Sequence, residues 1–194
     1  MQWRARLGVA GTGSEVASPV EIFKKGEMVE GFRIERELGR GAASVIYLAW
    51  DPRTKHIWAL KHVERGDAKD DRFLVQAEAE YKAASALDHP GVRKITKCIK
   101  RGSIFKTNEL FLVMELVDGR SLELSPPRTM AQAVHIFEQV ARALGHMHQR
   151  GWVHADMKPN NIVVDGDTLA KIIDLGQSCK VGTIKARIQG TPDY

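Results

Sequence analysis

His154-Ala155-Asp156-Met157-Lys158-Pro159-Asn160-Asn161, with Asp174-Leu175-Gly176 downstream, is the stretch on which the reading of this chain turns. Asp156, Asn161 and Asp174 are oxygen groups fit to bind a metal or to move a proton. They lie near the ends of two short apolar runs, 162–164 and 170–173, set around the turn Asp165-Gly166-Asp167. Magnesium prefers hard oxygen ligands, one or two carboxylates completed by substrate phosphates. A lone Asp in such a loop is usually a turn former. Three such groups, with Lys158 two residues after the first, are much less often incidental.

Upstream, Val134, Phe137, Val140, Ala141, Leu144 and Met147 recur at helical spacing and predict a helix over 129–149, stopped near Gly151. Asp118-Gly119 and Pro126-Pro127 mark a boundary before it. Strands are expected at about 92–100 and 110–117, joined by a polar hairpin. Ala77, Glu80, Ala84 and Leu87 share one face of a helix across 71–88, which Asp70 or Asp71 could cap. Further upstream, Phe32 to Leu38 alternates apolar and polar residues, Val45 to Trp50 forms a second strand and Ile57 to Val63 a third. The small residues of Gly39–Ser44 read as a turn between the first two. Residues 1–30 lack periodicity and are expected to be a flexible tail. The order is five strands with one helix and then a helical region opening, so a small β lobe joins a second lobe near residue 118.

Two charged residues sit on apolar faces. Glu80 lies among alanines and a leucine, and a buried carboxylate needs a cation or several donors. Lys61 alternates with Ala59 and Val63, so all three point to one side of a strand. Either each reaches water at an edge, or Lys61 and Glu80 answer each other as an ion pair. The Gly39–Ser44 loop is thin enough for its amides to approach phosphates, although a glycine-rich hairpin by itself is most often a plain turn.

The chain has 194 residues, 43% hydrophobic and 27% charged, which excludes disordered, collagen-like and coiled-coil classes. A net charge of +5 is too weak to argue for nucleic acid. The basic stretch Arg93, Lys94, Lys97, Lys100, Arg101 and Lys106 reads first as the solvated face of a strand pair, and second as a docking patch for an acidic partner. Cys98 and Cys179 cannot build a disulfide framework and suggest a reducing compartment. His135, His146 and His148 lack the i, i+4 spacing of a metal site. No apolar run is long enough to cross a membrane, and the N-terminus lacks a signal-peptide core. The expected location is cytoplasmic.

Taken together, these residues resemble a eukaryotic-type serine/threonine protein kinase over residues 32–194. Gly39-x-Gly41-x-x-Ser44 followed by Ile46 looks like the glycine-rich loop. Ala59-Leu60-Lys61 looks like the third-strand lysine motif, and Glu80 like its helical partner. Leu112-Val113-Met114-Glu115 resembles the strand entering the hinge, with Met114 as gatekeeper. His154-Ala155-Asp156 with Lys158 and Asn161 looks like the catalytic loop, Asp174-Leu175-Gly176 like the metal-binding motif, and Gly190-Thr191-Pro192-Asp193-Tyr194 like the segment before Ala-Pro-Glu.

The resemblance implies an α+β, two-lobed fold: an N-lobe over 31–117, with five antiparallel strands and one helix, and the start of a helical C-lobe over 118–194. It implies ATP and Mg²⁺ as cofactors and a protein with a Ser or Thr acceptor as partner, with no nucleic acid and no membrane segment. Leu38, Gly39, Arg40, Gly41, Ala42, Ala43 and Ser44 would cover the nucleotide. Lys61, held by Glu80, would neutralise the α- and β-phosphates. Ile46, Ala59 and Val163 would sandwich the adenine, with Met114, Glu115 and Val117 along its edge. Asp156 would take the substrate proton, Lys158 would stabilise the moving phosphoryl group, and Asn161 with Asp174 would hold the metal.

Four departures from the family pattern stand out. Ser44 replaces the third glycine, Leu175 the usual Phe, and Ala155 the arginine that normally pairs with a phosphorylated activation-loop residue. The expectation is that activation does not depend on that pairing, a point that replacing Ser178 and Thr183 would probe. Finally, the chain stops at Tyr194, before the Ala-Pro-Glu motif and the remaining C-lobe helices. That suggests a fragment in which the 129–149 helix keeps an uncovered apolar face. The alternatives are a nucleotide-binding or scaffolding module without turnover, and a small-molecule phosphotransferase of related fold.

Overall fold

Alternation at Phe32–Leu38 and apolar runs at Val45–Trp50 and Leu110–Met114 favour sheet in the first half of the chain. The computed structural model describes residues 22–41, 43–65, 71–103, 106–166 and 169–184. Strands β1 (Met28–Val29), β2 (Phe32–Arg40), β3 (Ser44–Asp51) and β4 (His56–Glu64) precede helix α1 (Asp71–Ser85). Strands β5 (Ile95–Ser103) and β6 (Lys106–Glu115) follow. The six strands pair antiparallel in the order β1-β2-β3-β4-β6-β5. The chain divides into two compact units, Met1–Glu78 with Ile95–Leu116, and Ala79–Lys94 with Val117–Tyr194.

In the first unit, one sheet face carries the core. Ile34, Val45, Tyr47, Ala49, Leu60, Phe111 and Val113 are buried together with Val29, Phe32 and Phe23. The Phe23 ring lies 5.6 Å from Tyr47 and 4.9 Å from His62, and its backbone N–H donates to the Tyr47 hydroxyl at 3.2 Å. The sheet unit therefore begins before residue 31. A lead-in without periodicity contributes one aromatic anchor and the two-residue strand β1. The turn is also shorter than Gly39–Ser44, because Gly39 and Arg40 pair with Ile46 and Val45. The backbone N–H of Gly41 donates to the Ser44 carbonyl at 2.7 Å, closing the turn. A Cβ on Gly41 would come within 2.9 Å of Ser44 Oγ, so glycine fits there best.

The second unit contains β7 (Arg120–Ser121), helix α2 (Met130–Gln149), β8 (Trp152–Val153), β9 (Ile162–Asp165), β10 (Leu169–Ile172) and β11 (Cys179–Lys180). Thr129 caps α2, its side chain accepting from the Gln132 N–H at 3.1 Å. Ile136, Val140, Ala143 and Met147 form the buried stripe of α2, which packs on β8 and β10. Met130, Val134 and Phe137 stand exposed on another face, so the apolar set read from sequence is split: Val140 and Met147 are buried, Val134 and Phe137 are not. Strands β10, β9 and β7 form one small sheet, and β11 with β8 another. Strand β5 starts at Ile95, so Val92 is not part of it; Val92 makes an isolated parallel bridge to Ile172. Among the described residues no helix is long and apolar enough to cross a membrane.

Candidate active site

In the first unit the cross-strand register does the positioning. Gly39 opposes Ile46, Ile46 opposes Lys61, and Lys61 opposes Leu112. Ala59 opposes Leu48 and Met114. Directly opposed residues share a sheet face, so Ile46, Ala59, Lys61 and Met114 lie on the face away from the Tyr47 and Phe111 core. Glu115 is the last residue of β6. Leu38, Gly39 and Arg40 belong to β2, Ala43 lies within the turn, and Ser44 opens β3. Ala42 lies outside the described residues, as do Thr191 and the rest of 190–194.

In the second unit the β9–β10 hairpin gathers the residues of the motif. Ile162 opposes Ile172, and the Ile173 N–H donates to the Asn161 carbonyl at 3.0 Å. Asp174 therefore emerges beside Asn161. The Asn161 amide Nδ2 donates to the Asp156 carbonyl at 2.8 Å. The Asn161 N–H donates to the Lys158 carbonyl at 2.9 Å through the 3-10 turn Pro159–Asn161. Lys158 Nζ lies 3.1 Å from Asp156 Oδ2. Asp174 Oδ1 accepts from the Gly176 N–H at 2.9 Å, a local turn that orients the carboxylate. Four of the predicted residues, Asp156, Lys158, Asn161 and Asp174, thus form one cluster. Val163 follows on β9, buried.

Ala155 holds φ at 62°, left-handed backbone that L side chains avoid. That conformation costs roughly 1–2 kcal/mol, against about 0.4–1 kcal/mol for the extra unfolded-state freedom of glycine. Ala155→Gly is therefore expected to raise stability by roughly 0.5–1 kcal/mol, read as a higher urea midpoint at unchanged slope. A lower midpoint would contradict it.

His154 is almost wholly buried, and its Nδ1 accepts from the Asp156 N–H at 3.3 Å. The ring is thus a neutral brace for the loop. Burial pushes its pKa below the ordinary 6.5, against the opposing pull of Asp174 and Asp156. His89 is similar: burial lowers it, and its Nδ1 accepts from the Gly91 N–H at 3.0 Å. Between the folded and unfolded pKa values the unfolded chain binds more protons, so stability is full above 6.5 and falls as pH drops below it. His154→Asn is expected to flatten part of the fall in melting temperature between neutral and mildly acidic pH. An unchanged slope would remove His154 from the effect.

Glu80 is fully buried in α1, and one partner is Arg93, whose Nη2 lies 3.5 Å from Oε1. The sequence reading placed Arg93 in a solvated basic stretch; its side chain is only 12% exposed. A clue was available in the carboxylate itself, which required a cation. Much of the remaining stretch is paired at the surface: Lys94 with Asp88 at 2.9 Å, Lys100 with Glu78 at 2.8 Å, and Arg101 with Glu30. Ser178 is buried and Thr183 exposed, so of the two hydroxyls Thr183 is the accessible one.

Among the described residues no three His, Cys, Asp or Glu cluster as a metal cage. Asn161 and Asp174 offer an amide and a carboxylate oxygen, a donor set that suits magnesium sharing its sphere with phosphates. Burial raises the Cys98 thiol pKa, away from thiolate chemistry.

A family model described as protein kinase domain matches residues 32–194. The chain is 32% identical over 164 residues to serine/threonine-protein kinase PknJ of Mycobacterium tuberculosis, covering 81% of this chain and 27% of the relative. It is 32% identical over 156 residues to serine/threonine-protein kinase PrkC of Bacillus subtilis, covering 78% and 23%. It is 28% identical over 172 residues to an Aurora kinase of Candida glabrata, covering 86% and 47%. The chain thus spans about a quarter of the two bacterial relatives' length and under half of the yeast one's.

Proposed function

Since this chain belongs to the protein kinase family, we propose that it transfers the γ-phosphoryl group of Mg-ATP to Ser and Thr hydroxyls of protein substrates. The observation that carries this reading is the cluster of Asp156, Lys158, Asn161 and Asp174. In the reaction, a bond forms between the substrate oxygen and the γ-phosphorus. The bond from that phosphorus to the bridging oxygen breaks, and ADP leaves. The hydroxyl proton passes to the Asp156 carboxylate, which also aligns the oxygen. Lys158 lies against Asp156 and supplies positive charge to the moving phosphoryl group. Asn161 and Asp174 are the residues that would hold the metal, which neutralises phosphate charge when bound. Lys61 is assigned to the α- and β-phosphates with Glu80 as the carboxylate that holds it. Ile46, Ala59 and Val163 are assigned to the adenine. Such catalysis is positioning plus charge stabilisation, which suits a loop braced by a neutral buried histidine.

A second reading, nucleotide binding without turnover, draws on the exposed Met130, Val134 and Phe137 of α2, an apolar face of the kind that marks an interaction surface. Incubating the chain with γ-labelled ATP, magnesium and a casein substrate separates the two. Label on Ser and Thr supports transfer. Magnesium-dependent binding without label supports the second reading. Neither binding nor label overturns both.

A further inference from the structure

Arg93 is fixed at both its backbone and its side chain. Its backbone N–H donates to the Ile172 carbonyl at 2.9 Å, and the Ile172 N–H donates to the Gly91 carbonyl at 2.9 Å. Val92 bridges Ile172 between these bonds. The segment 91–93 is thereby fastened to the last residue of β10, two positions before Asp174. The side chain of Arg93 points to a different place: its Nη2 lies 3.5 Å from Glu80 Oε1, with Glu80 fully buried. Arg93 Nε is buried and, among the described residues, makes no hydrogen bond, so they offer the guanidinium no alternative anchor at that atom. A cation buried to this degree is costly unless it compensates a charge. Among the described residues, the ion-pair partner of Arg93 is the Glu80 carboxylate.

We propose that Arg93 is a positioning residue for phosphate binding, holding the Glu80 carboxylate in place and tying it to the strand that delivers Asp174. The inference rests on the kinase reading, which assigns Glu80 to holding the phosphate-binding Lys61. Arg93 itself touches no phosphate. It supplies a cation of the kind that a fully buried carboxylate needs, and its backbone gives that cation a fixed origin. Loss of the cation leaves Glu80 in a dry site with less compensation, so the carboxylate shifts away from the place its phosphate-binding assignment needs. Adenosine, which has no phosphate, should not sense the change. A role confined to folding would affect both ligands alike.

The test is calorimetric titration of the whole chain with Mg-ATP and with adenosine. Arg93→Gln keeps a donor and removes the charge; its Mg-ATP Kd is expected to rise about tenfold, the size of a moderate coupling between neighbouring groups, with adenosine unchanged. Arg93→Lys keeps the charge and is expected to restore most of the Mg-ATP affinity. Equal losses for both ligands, or no loss for either, would overturn the inference, as would failure of lysine to rescue. If R93Q does not melt cooperatively, the Glu80→Gln, Arg93→Gln double variant strands no buried charge and takes its place. Its Mg-ATP affinity should match that of Glu80→Gln alone, and a further loss would overturn the proposal. A wild-type chain that binds Mg-ATP no better than adenosine would instead defeat the kinase reading, which is a separate result.

Discussion

Asp156→Asn is expected to lower phosphotransfer by about 10²–10⁴-fold, the range that a positioned general base contributes. The substitution keeps size and planar shape. It removes the group that accepts the substrate proton and the charge that faces Lys158 at 3.1 Å. The loop should survive, because Asn161 holds the Asp156 carbonyl and not its side chain, and His154 holds its N–H. Mg-ATP affinity and melting temperature should therefore stay close to the parent values. Transfer by the variant at a tenth of the parent rate or more would remove Asp156 from the proton-accepting role. A large fall in melting temperature would make the loss structural and equally defeat the assignment.

The second large effect concerns Asp174. Removing a carboxylate that would hold a charge-neutralising metal beside a phosphate is expected to cost about 100-fold or more. Asp174→Ala is expected to abolish the gain in ATP affinity that magnesium provides, with adenosine binding intact. The same carboxylate also accepts the Gly176 N–H at 2.9 Å, so alanine deletes a turn as well as a ligand. Asp174→Asn separates the two functions, since its amide oxygen can still accept from Gly176 while the charge is gone. Both variants should lose the magnesium response. If only the alanine variant loses it, Asp174 acts through the turn and the metal assignment fails.

Much of this architecture was legible in local pattern. Val45 to Trp50 and Ile57 to Val63 read as strands, and their observed register puts Ile46, Ala59 and Lys61 on one sheet face. Both long helices also followed from period, with α1 ending at Ser85 instead of 88. The short strands did not. Two-residue pairings such as β1, β7, β8 and β11 have too few residues to show a period. Phe23 was invisible for the same reason, as a single aromatic in an aperiodic segment whose partners lie on β3, β4 and β6. Arg93 was misplaced because a run of cations reads as a solvated surface, and only chain crossing brings Glu80 to it.

The identity and order of the polar groups were determined by the sequence alone: Lys61, Glu80, Asp156, Lys158, Asn161 and Asp174 in that succession, on strands, helices and loops whose local periods can be read along the chain. Their types already select phosphate and magnesium chemistry, because charge and hardness belong to the side chain and not to the fold. The tertiary structure alone decided which groups meet. A hairpin register brought Asn161 to Asp174, burial made His154 a neutral brace, and a parallel bridge placed Arg93 under Glu80. These outcomes depend on desolvation and on contacts between residues far apart in the chain, and neither quantity is carried by any local stretch of sequence.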